Sequence, residues 1–340
     1  MNKISISGSA FEIGQQLGEF GREAWHQKLT QTALWQTVTA MKQGEQTRRM
    51  VAQVQAQFPQ IWLELEGLAS GLQAPLDEVF AWNCRGDLVR STSDGCTTVA
   101  GQRGDGALII AHNEDGYPQL RGDCALVHVT PDQGMGFISF AYPGSICGHT
   151  FAINDRGVVN TVNNIRAMHR PAGLPRQILA RAALNAATLD EAMTLLTTSP
   201  RAGAFHHTLG QMGDSRLFSV EATGSGCSVR QLNALFTHAN HLVHPGFTAI
   251  DQVVTDSSAS RQQRLDEWQK GQTGLDESAA NAILSDQHDA VLPIYRLSPQ
   301  DPDEENTLAT AIFIVKAKEV EWQVFTQDRE QAILQGAVTE

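Results

Sequence analysis

The chain is short of positive charge. Its 25 lysines and arginines face 37 aspartates and glutamates, a formal net charge of −12 over 340 residues. Nucleic acid is therefore not an expected partner, because phosphate binding needs a basic face. An acidic surface mostly serves solubility and is weakly compatible with a cationic small substrate. Long apolar runs are missing too: nowhere do about 18 consecutive apolar residues occur, so no membrane span is expected. The opening "MNKISISGSAFEIGQQLG" has no long apolar core of a secretion signal, and the expected location is the cytoplasm. Cysteines are few. Cys84, Cys96, Cys124, Cys147 and Cys227 are odd in number, widely spaced and without a CxxC pair, which speaks for reduced thiols rather than a disulfide framework or zinc finger. Phosphate loops of the GxGxxG or GxxxxGK[ST] type, internal repeats and Gly/Ser-rich or charged linkers are absent as well. No cofactor is expected, and one large domain over residues 1–340 is.

What is present divides into two textures. Up to about residue 92 the apolar spacing is helical, with Ile13, Leu17, Phe20 and Trp25 followed by Trp35, Val38 and onward to Leu68. After Cys96 come short β-rich runs broken by turns: "CTTVAG", "ALIIAHNED", "CALVHVTP", "MGFISFAYPG", "HTFAINDRG" and "VVNTVNN". Helices return at 175–199 and 260–285, and strands close the chain at "ATAIFIVKAKEVEWQVFTQ". This order lacks the strict βαβα alternation of a parallel doubly wound sheet. It predicts an α+β fold of stacked, mainly antiparallel sheets covered by helices.

The junction between the two textures reads "SDGCTTVAGQ", with Cys96 after Gly95. A thiol of pKa about 8.5 is mostly protonated at neutral pH and needs a base to become a nucleophile. Were Cys96 a chain terminus, its own α-amine, with a reference pKa of about 7.7–8.0, would supply that base. Attack of the thiol on the preceding carbonyl would create such a terminus, and a glycine leaves that carbonyl unshielded. Thr98, on the same face of a strand as Cys96, is placed to hydrogen-bond the amide or the new amine.

The segment "DGCTTV" resembles the processing site of the acyl-coenzyme A:6-aminopenicillanate acyltransferase-like family, amino-terminal-nucleophile (Ntn) hydrolases of the C45 peptidase type. "GSAFEIGQQLG", "LEGLASGL", "AHNEDG", "SFAYPGSICGHTFAINDRGVVNTVNN", "FSVEATGSG" and "THANHLVHPGF" follow the family order over nearly the whole chain. The resemblance implies a four-layer αββα sandwich. It also implies autocatalytic cleavage of a zymogen between Gly95 and Cys96, giving an α-chain 1–95 and a β-chain 96–340 that stay associated. By the same resemblance, Cys96 is the nucleophile and Thr98 assists self-processing. Asp115, in "HNED", orients the terminal amine or thiol. Asn164, with Asn163 beside it as the alternative, and Asn240, in "THANH", lie near the oxyanion. Arg261 and Arg264 echo an arginine of the bile-salt-hydrolase branch but are more simply helix-surface residues. "HNEDG" lacks the aromatic residue that relatives carry after the aspartate, so Gly116 alters the expected pocket.

His238, His241 and His244 form HxxHxxH, yet neither helix nor strand spacing brings all three to one face, so no metal site is expected there. The reading is a self-processing cysteine hydrolase of a small N-acyl amide, nearer the β-alanyl-amine hydrolase branch. Its alternatives are an acyl-coenzyme A-dependent N-acyltransferase and a ligand-binding scaffold without turnover. Oligomeric state is left open.

Overall fold

The computed structural model describes residues 1–90, 95–271 and 274–340, so Ser93 and Asp94 of the junction motif lie outside the described residues. The amino-terminal part is helical as expected, except at its start. There β1 (Asn2–Gly8) pairs in parallel with the strand Ala125–Pro131. Isoleucines 4 and 6 alternate with Ser5 and Ser7, the period of a strand.

Helix α1 (Ala10–Gln27) begins at a capping box, Glu12 N donating to Ser9 Oγ at 3.3 Å and Ser9 N to Glu12 Oε2 at 2.8 Å. Then follow α2 (Ala33–Thr39), α3 (Glu45–Gln57), α4 (Pro59–Leu72), α5 (Leu76–Asn83) and the single turn α6 (Arg85–Leu88). Helices α1 and α4 cross through glycine. A Cβ on Gly14 would lie 1.9 Å from Glu64 O, and one on Gly67 would lie 1.9 Å from Phe11 O. The glycines of "GSAFEIGQQLG" and "LEGLASGL" thus let two backbones touch where any side chain would part them.

The β-rich part supplies β2 (Gly95–Gln102), β3 (Leu108–Gly116), β4 (Ala125–Pro131), β5 (Phe137–Ala141), β6 (Phe151–Asn154) and β7 (Val158–Ile165). After α7 (Arg176–Ala183) and α8 (Leu189–Thr198) come β8 (Ala204–Gln211), β9 (Phe218–Thr223), β10 (Gly226–Gln231) and β11 (Phe236–His238). Helices α9 (Asp256–Gly271) and α10 (Glu277–Leu284) precede β12 (Asn306–Val315), β13 (Glu319–Phe325) and β14 (Leu334–Thr339).

Among the described residues the strands form two sheets. One runs β1-β4-β5-β6-β7-β8-β9-β10 and the other β11-β2-β3-β12-β13-β14, antiparallel throughout except at β1–β4. Strands β2 and β3 of the smaller sheet face β7 and β8 of the larger. Helices α1 and α8 contact the larger sheet, and α9 and α10 contact the smaller one. This is the expected α+β layered sandwich, helix–sheet–sheet–helix. Strand alternation then splits β2 and β3 between two environments. Ala100, Leu108 and Ile110 belong to the main core. Val99, Ile109 and Ala111 pack with Leu265, Ile283 and Leu284 under α9 and α10. Cys96 and Glu114 share the first face; Gly95 and Asp115 share the second.

Candidate active site

Cys96 is buried at the start of β2, in register with Glu114 of β3. Its thiol donates to Glu114 Oε2 across 3.8 Å. The other oxygen, Oε1, accepts the Tyr142 hydroxyl at 2.9 Å. His112, two residues before Glu114 on the same face, sets its Nε2 3.1 Å from Oε2. Burial pushes His112 down to about 3, so the ring is neutral. Its tautomer follows from the neighbours. Thr98 Oγ1 donates to Asn163 Oδ1 at 2.8 Å, so Thr98 must accept from His112 Nδ1–H, also at 2.8 Å. Nε2 therefore faces Glu114 Oε2.

The backbone of Cys96 is gripped from the other side. Its N–H donates to Asn240 Oδ1 at 2.9 Å, and its carbonyl accepts from Arg261. Arg261 Nη2 also donates to Asn240 Oδ1 at 2.7 Å. Two donors converging on that atom fix it as the amide oxygen. Asn240 Nδ2 donates to the backbone oxygen of Asn164 at 3.1 Å, and the Asn164 side chain accepts from Arg176 Nη1 at 2.6 Å.

The structure thus brings Cys96, Asn240 and Asn164 together. Asn163, the alternative to Asn164, turns instead to Thr98 and His206. Two contacts come out differently from the sequence expectation. Thr98 shares the face of Cys96, but its hydroxyl is spent between Asn163 and His112, two residues further along the strand. Asp115 points away from the thiol, to the α10 side of β3, because strand neighbours alternate. There its Oδ1 accepts from Thr307 Oγ1 at 2.7 Å and Oδ2 lies 3.7 Å from Arg296 Nη1.

Asp115 instead stands behind Gly95, its partner in register. A Cβ on Gly95 would lie 2.3 Å from Glu305 Oε2, 2.9 Å from Arg296 Nη1 and 3.2 Å from Asp115 Cβ. Arg296 is buried among Asp115, Asp301 and Glu305. Burial, opposed by Arg296, lifts the Glu305 carboxyl to about 7. One guanidinium is shared among these three buried side chains.

A small cavity of about 10 Å³, space for the centre of roughly one water, touches Cys96 and Glu114. Asn164, Arg176 and Phe205 line it from the β-rich part, and Asn83, Arg85 and Gly86 close it from the helical part. The closing turn is pinned by Asp87, whose Oδ1 accepts from Arg176 N at 3.1 Å. Burial lifts that carboxyl to about 6.

The remaining candidates separate. His238 donates to Glu221 Oε1 at 3.0 Å, the His244 backbone to the same carboxylate at 3.2 Å, and the His241 ring pairs with Ser258 Oγ at 2.8 Å. Cys84, Cys124 and Cys147 are buried, with thiols pushed up by burial, and Cys227 is half-buried. No described helix is long and apolar enough to cross a membrane. Glu114, His112 and Tyr142 are the site residues that sequence reasoning missed, and Arg261, named there but set aside as a helix-surface residue, is buried. Period-2 alternation in "HNED" pairs His112 with Glu114, but only the β2–β3 register tells which pair meets Cys96.

Known proteins are similar to this chain in sequence. The chain is 25% identical over 214 residues to the beta-alanyl-dopamine/carcinine hydrolase of Drosophila melanogaster, which covers 56% of this chain and 55% of that protein. The chain thus spans little more than half the length of that relative. It is also 25% identical over 325 residues to the 40 kDa form of acyl-coenzyme A:6-aminopenicillanic-acid-acyltransferase of Emericella nidulans, covering 92% of this chain and 89% of that protein. A model of one family matches residues 102–329, well over half of the sequence. The chain belongs to the acyl-coenzyme A:6-aminopenicillanic acid acyl-transferase family.

Proposed function

We propose that this protein is a cysteine amidohydrolase of the Ntn type that makes its own nucleophile by cutting between Gly95 and Cys96. The observation that carries the reading is the double hold on Cys96: its N–H rests on Asn240 while its thiol rests on Glu114. The nitrogen that would leave and the sulfur that would attack are both positioned before any bond breaks.

In the first step Sγ attacks the Gly95 carbonyl carbon and the amide nitrogen departs. The thiol proton passes to Glu114 Oε2 and through it to His112 Nε2, and its return protonates the departing nitrogen. Burial makes His112 a poor resting base and its protonated form a strong acid, which suits a proton held only in passing. Water then hydrolyses the Gly95 thioester, leaving a carboxylate on Gly95 and an amine on Cys96. Asn240 Oδ1 is positioned to hold that amine, which becomes the base for the thiol in turnover. Arg261 holds Asn240 and the Cys96 carbonyl in place. Asn164 lines the cavity above the thiol, where an oxyanion would form.

The substrate we propose is a small N-acyl amide, a β-alanyl amine among the first to try, in keeping with the name of the Drosophila relative. Acyl transfer from a thioester to an amine is the second reading, favoured by the fungal relative that spans 92% of this chain. Intact mass under denaturing conditions tests the first step. Two fragments meeting at Gly95 and Cys96 are expected for the wild type, and one uncut wild-type chain sinks the proposal. Turnover of acyl amides with and without an amine acceptor separates hydrolysis from transfer.

A further inference from the structure

We infer that Glu221 is a positioning residue for the reaction at Cys96: from the larger sheet it fixes the segment 239–244, which aims Asn240 at the nitrogen of Cys96. Its effect on rate rests on the proposed self-cleavage; its contacts do not.

Asn240 stands where the chain has just left β11, and from there to α9 the backbone belongs to neither helix nor strand. Buried amides in such a segment need other acceptors. Side chains supply them. Ala239 N donates to Gln262 Oε1 at 2.9 Å, Asn240 N to Ser258 Oγ at 2.9 Å and Leu242 N to Gln252 Oε1 at 2.8 Å. Val243 N and His244 N donate to Glu221 Oε1 at 2.6 and 3.2 Å.

Glu221 differs from the other acceptors in where it comes from. Ser258 and Gln262 lie on α9, which packs on the smaller sheet, so they hold the segment from its own side. Glu221 is on β9 of the larger sheet and is fully buried. It also accepts from His238 Nε2 at 3.0 Å, so one carboxylate grips the chain on both sides of Asn240. The His238 ring lies flat on His206, with centroids 3.6 Å apart and planes 2° from parallel. His206 Nδ1 is 2.9 Å from Asn163 Oδ1, and that oxygen also accepts from Thr98 on the strand of Cys96. The brace thus ties Asn240 and β2 to one place between the sheets. Burial pushes the Glu221 carboxyl up, but His238, His244 and the Val243 N–H together outweigh it and hold the group below the ordinary carboxylate range.

The consequence falls on one contact. Cys96 N–H donates to Asn240 Oδ1 at 2.9 Å. Arg261 sets the Asn240 amide from α9, and Glu221 sets its backbone from β9. A displacement of about 1 Å in such a group costs on the order of 100-fold in rate.

Glu221→Gln can keep the oxygen that His238 and Val243 share, but it turns an N–H toward the His244 N–H. Self-cleavage, followed by intact mass over time, should slow by about 10–100-fold. Glu221→Asp keeps the charge, shortens the reach and should slow cleavage likewise; it is the second variant should the first fold poorly. Because Glu221 acts through Asn240, Glu221→Gln should cost less than about threefold more in a chain already carrying Asn240→Ala. A general weakening of the fold would cost the same in both. Amide hydrogen exchange reads the brace without the chemistry. In Cys96→Ala chains the amide at position 96 still faces Asn240, and adding Glu221→Gln should speed its exchange about tenfold or more while leaving the amides of β5 unchanged. Unslowed cleavage, equal losses with and without the Asn240 side chain, or unchanged exchange at position 96 would overturn the inference. Faster exchange there in a protein whose wild type is never cut would keep the brace and sink the self-cleavage reading instead.

Discussion

On the inner face of β2 and β3, Cys96 meets Glu114 and, through it, His112 and Tyr142; on the outer face, one residue away, Gly95 rests against Arg296, Glu305 and Asp115. The inner cluster sets a thiol, a carboxyl and an imidazole in a row, beside a cavity that Arg85 and Arg176 also line. The outer cluster is built around one arginine among three carboxyls. Both are buried, and both touch the same peptide bond. The inner one is arranged so that a proton can move. The outer one fixes the backbone, and its close packing leaves room for hydrogen alone on Gly95. A strand's period of two separates chemistry from clamping within two residues.

The comparison breaks most completely at Cys96. Cys96→Ala should leave one full-length chain by intact mass and abolish turnover, with no residual cleavage at any pH. Next come the two acids that stand side by side in sequence. Glu114→Gln should slow self-cleavage by about 10²–10⁴-fold, the usual worth of a proton-transferring group, with little change in the urea midpoint. Asp115→Asn should do the reverse. It weakens a buried carboxylate held by Thr307 and Arg296, at about 1–3 kcal/mol, and slows cleavage less than tenfold. If instead Asp115→Asn stops cleavage while Glu114→Gln does not, the two faces have been assigned the wrong way round. Gly95→Ala tests the clamp. Its Cβ would meet Glu305 Oε2 at 2.3 Å, so cleavage should slow, and adding Glu305→Ala to the same chain should restore part of the rate.

Much of this was legible in the sequence. Strands and helices followed from apolar period, and the α+β class followed from their order. Cys96, Asn240 and Asn164, expected from the family resemblance, lie beside one another. What could not be read was the register. The quoted "HNED" contains both acids, and nothing local says which of them faces the thiol; that is decided by how β3 pairs with β2. Arg261 was set aside for a related reason. On a helix its spacing is that of any surface residue, and only the docking of α9 near β11 buries it against Cys96 and Asn240. Strand β1 was missed because seven residues of weak alternation before a strong helix look like that helix's approach.

The smallest expected effect is also the finest test of the outer cluster. Glu305 has a folded-state pKa of about 7, above the ordinary 4.5, because burial disfavours its charge more than Arg296 and the arginines beyond it favour it. An acid that binds its proton more tightly when folded contributes stability that is complete below pH about 4.5 and is lost as the pH rises through about 7. The ionised form, forced into a site with Asp115 and Asp301, is the costly one. Glu305→Gln keeps the shape and removes the titration. The wild type should therefore lose stability between about pH 5 and 8 relative to this variant, by on the order of 1–3 kcal/mol, read as urea midpoints that diverge as the pH rises. The inner cluster predicts no such difference for Glu305→Gln in the pH dependence of cleavage beyond what stability explains. Were the cleavage rate itself to follow Glu305 through pH 7 at constant stability, the outer face would be taking part in the chemistry, and the division between clamp and catalyst would fail at this residue.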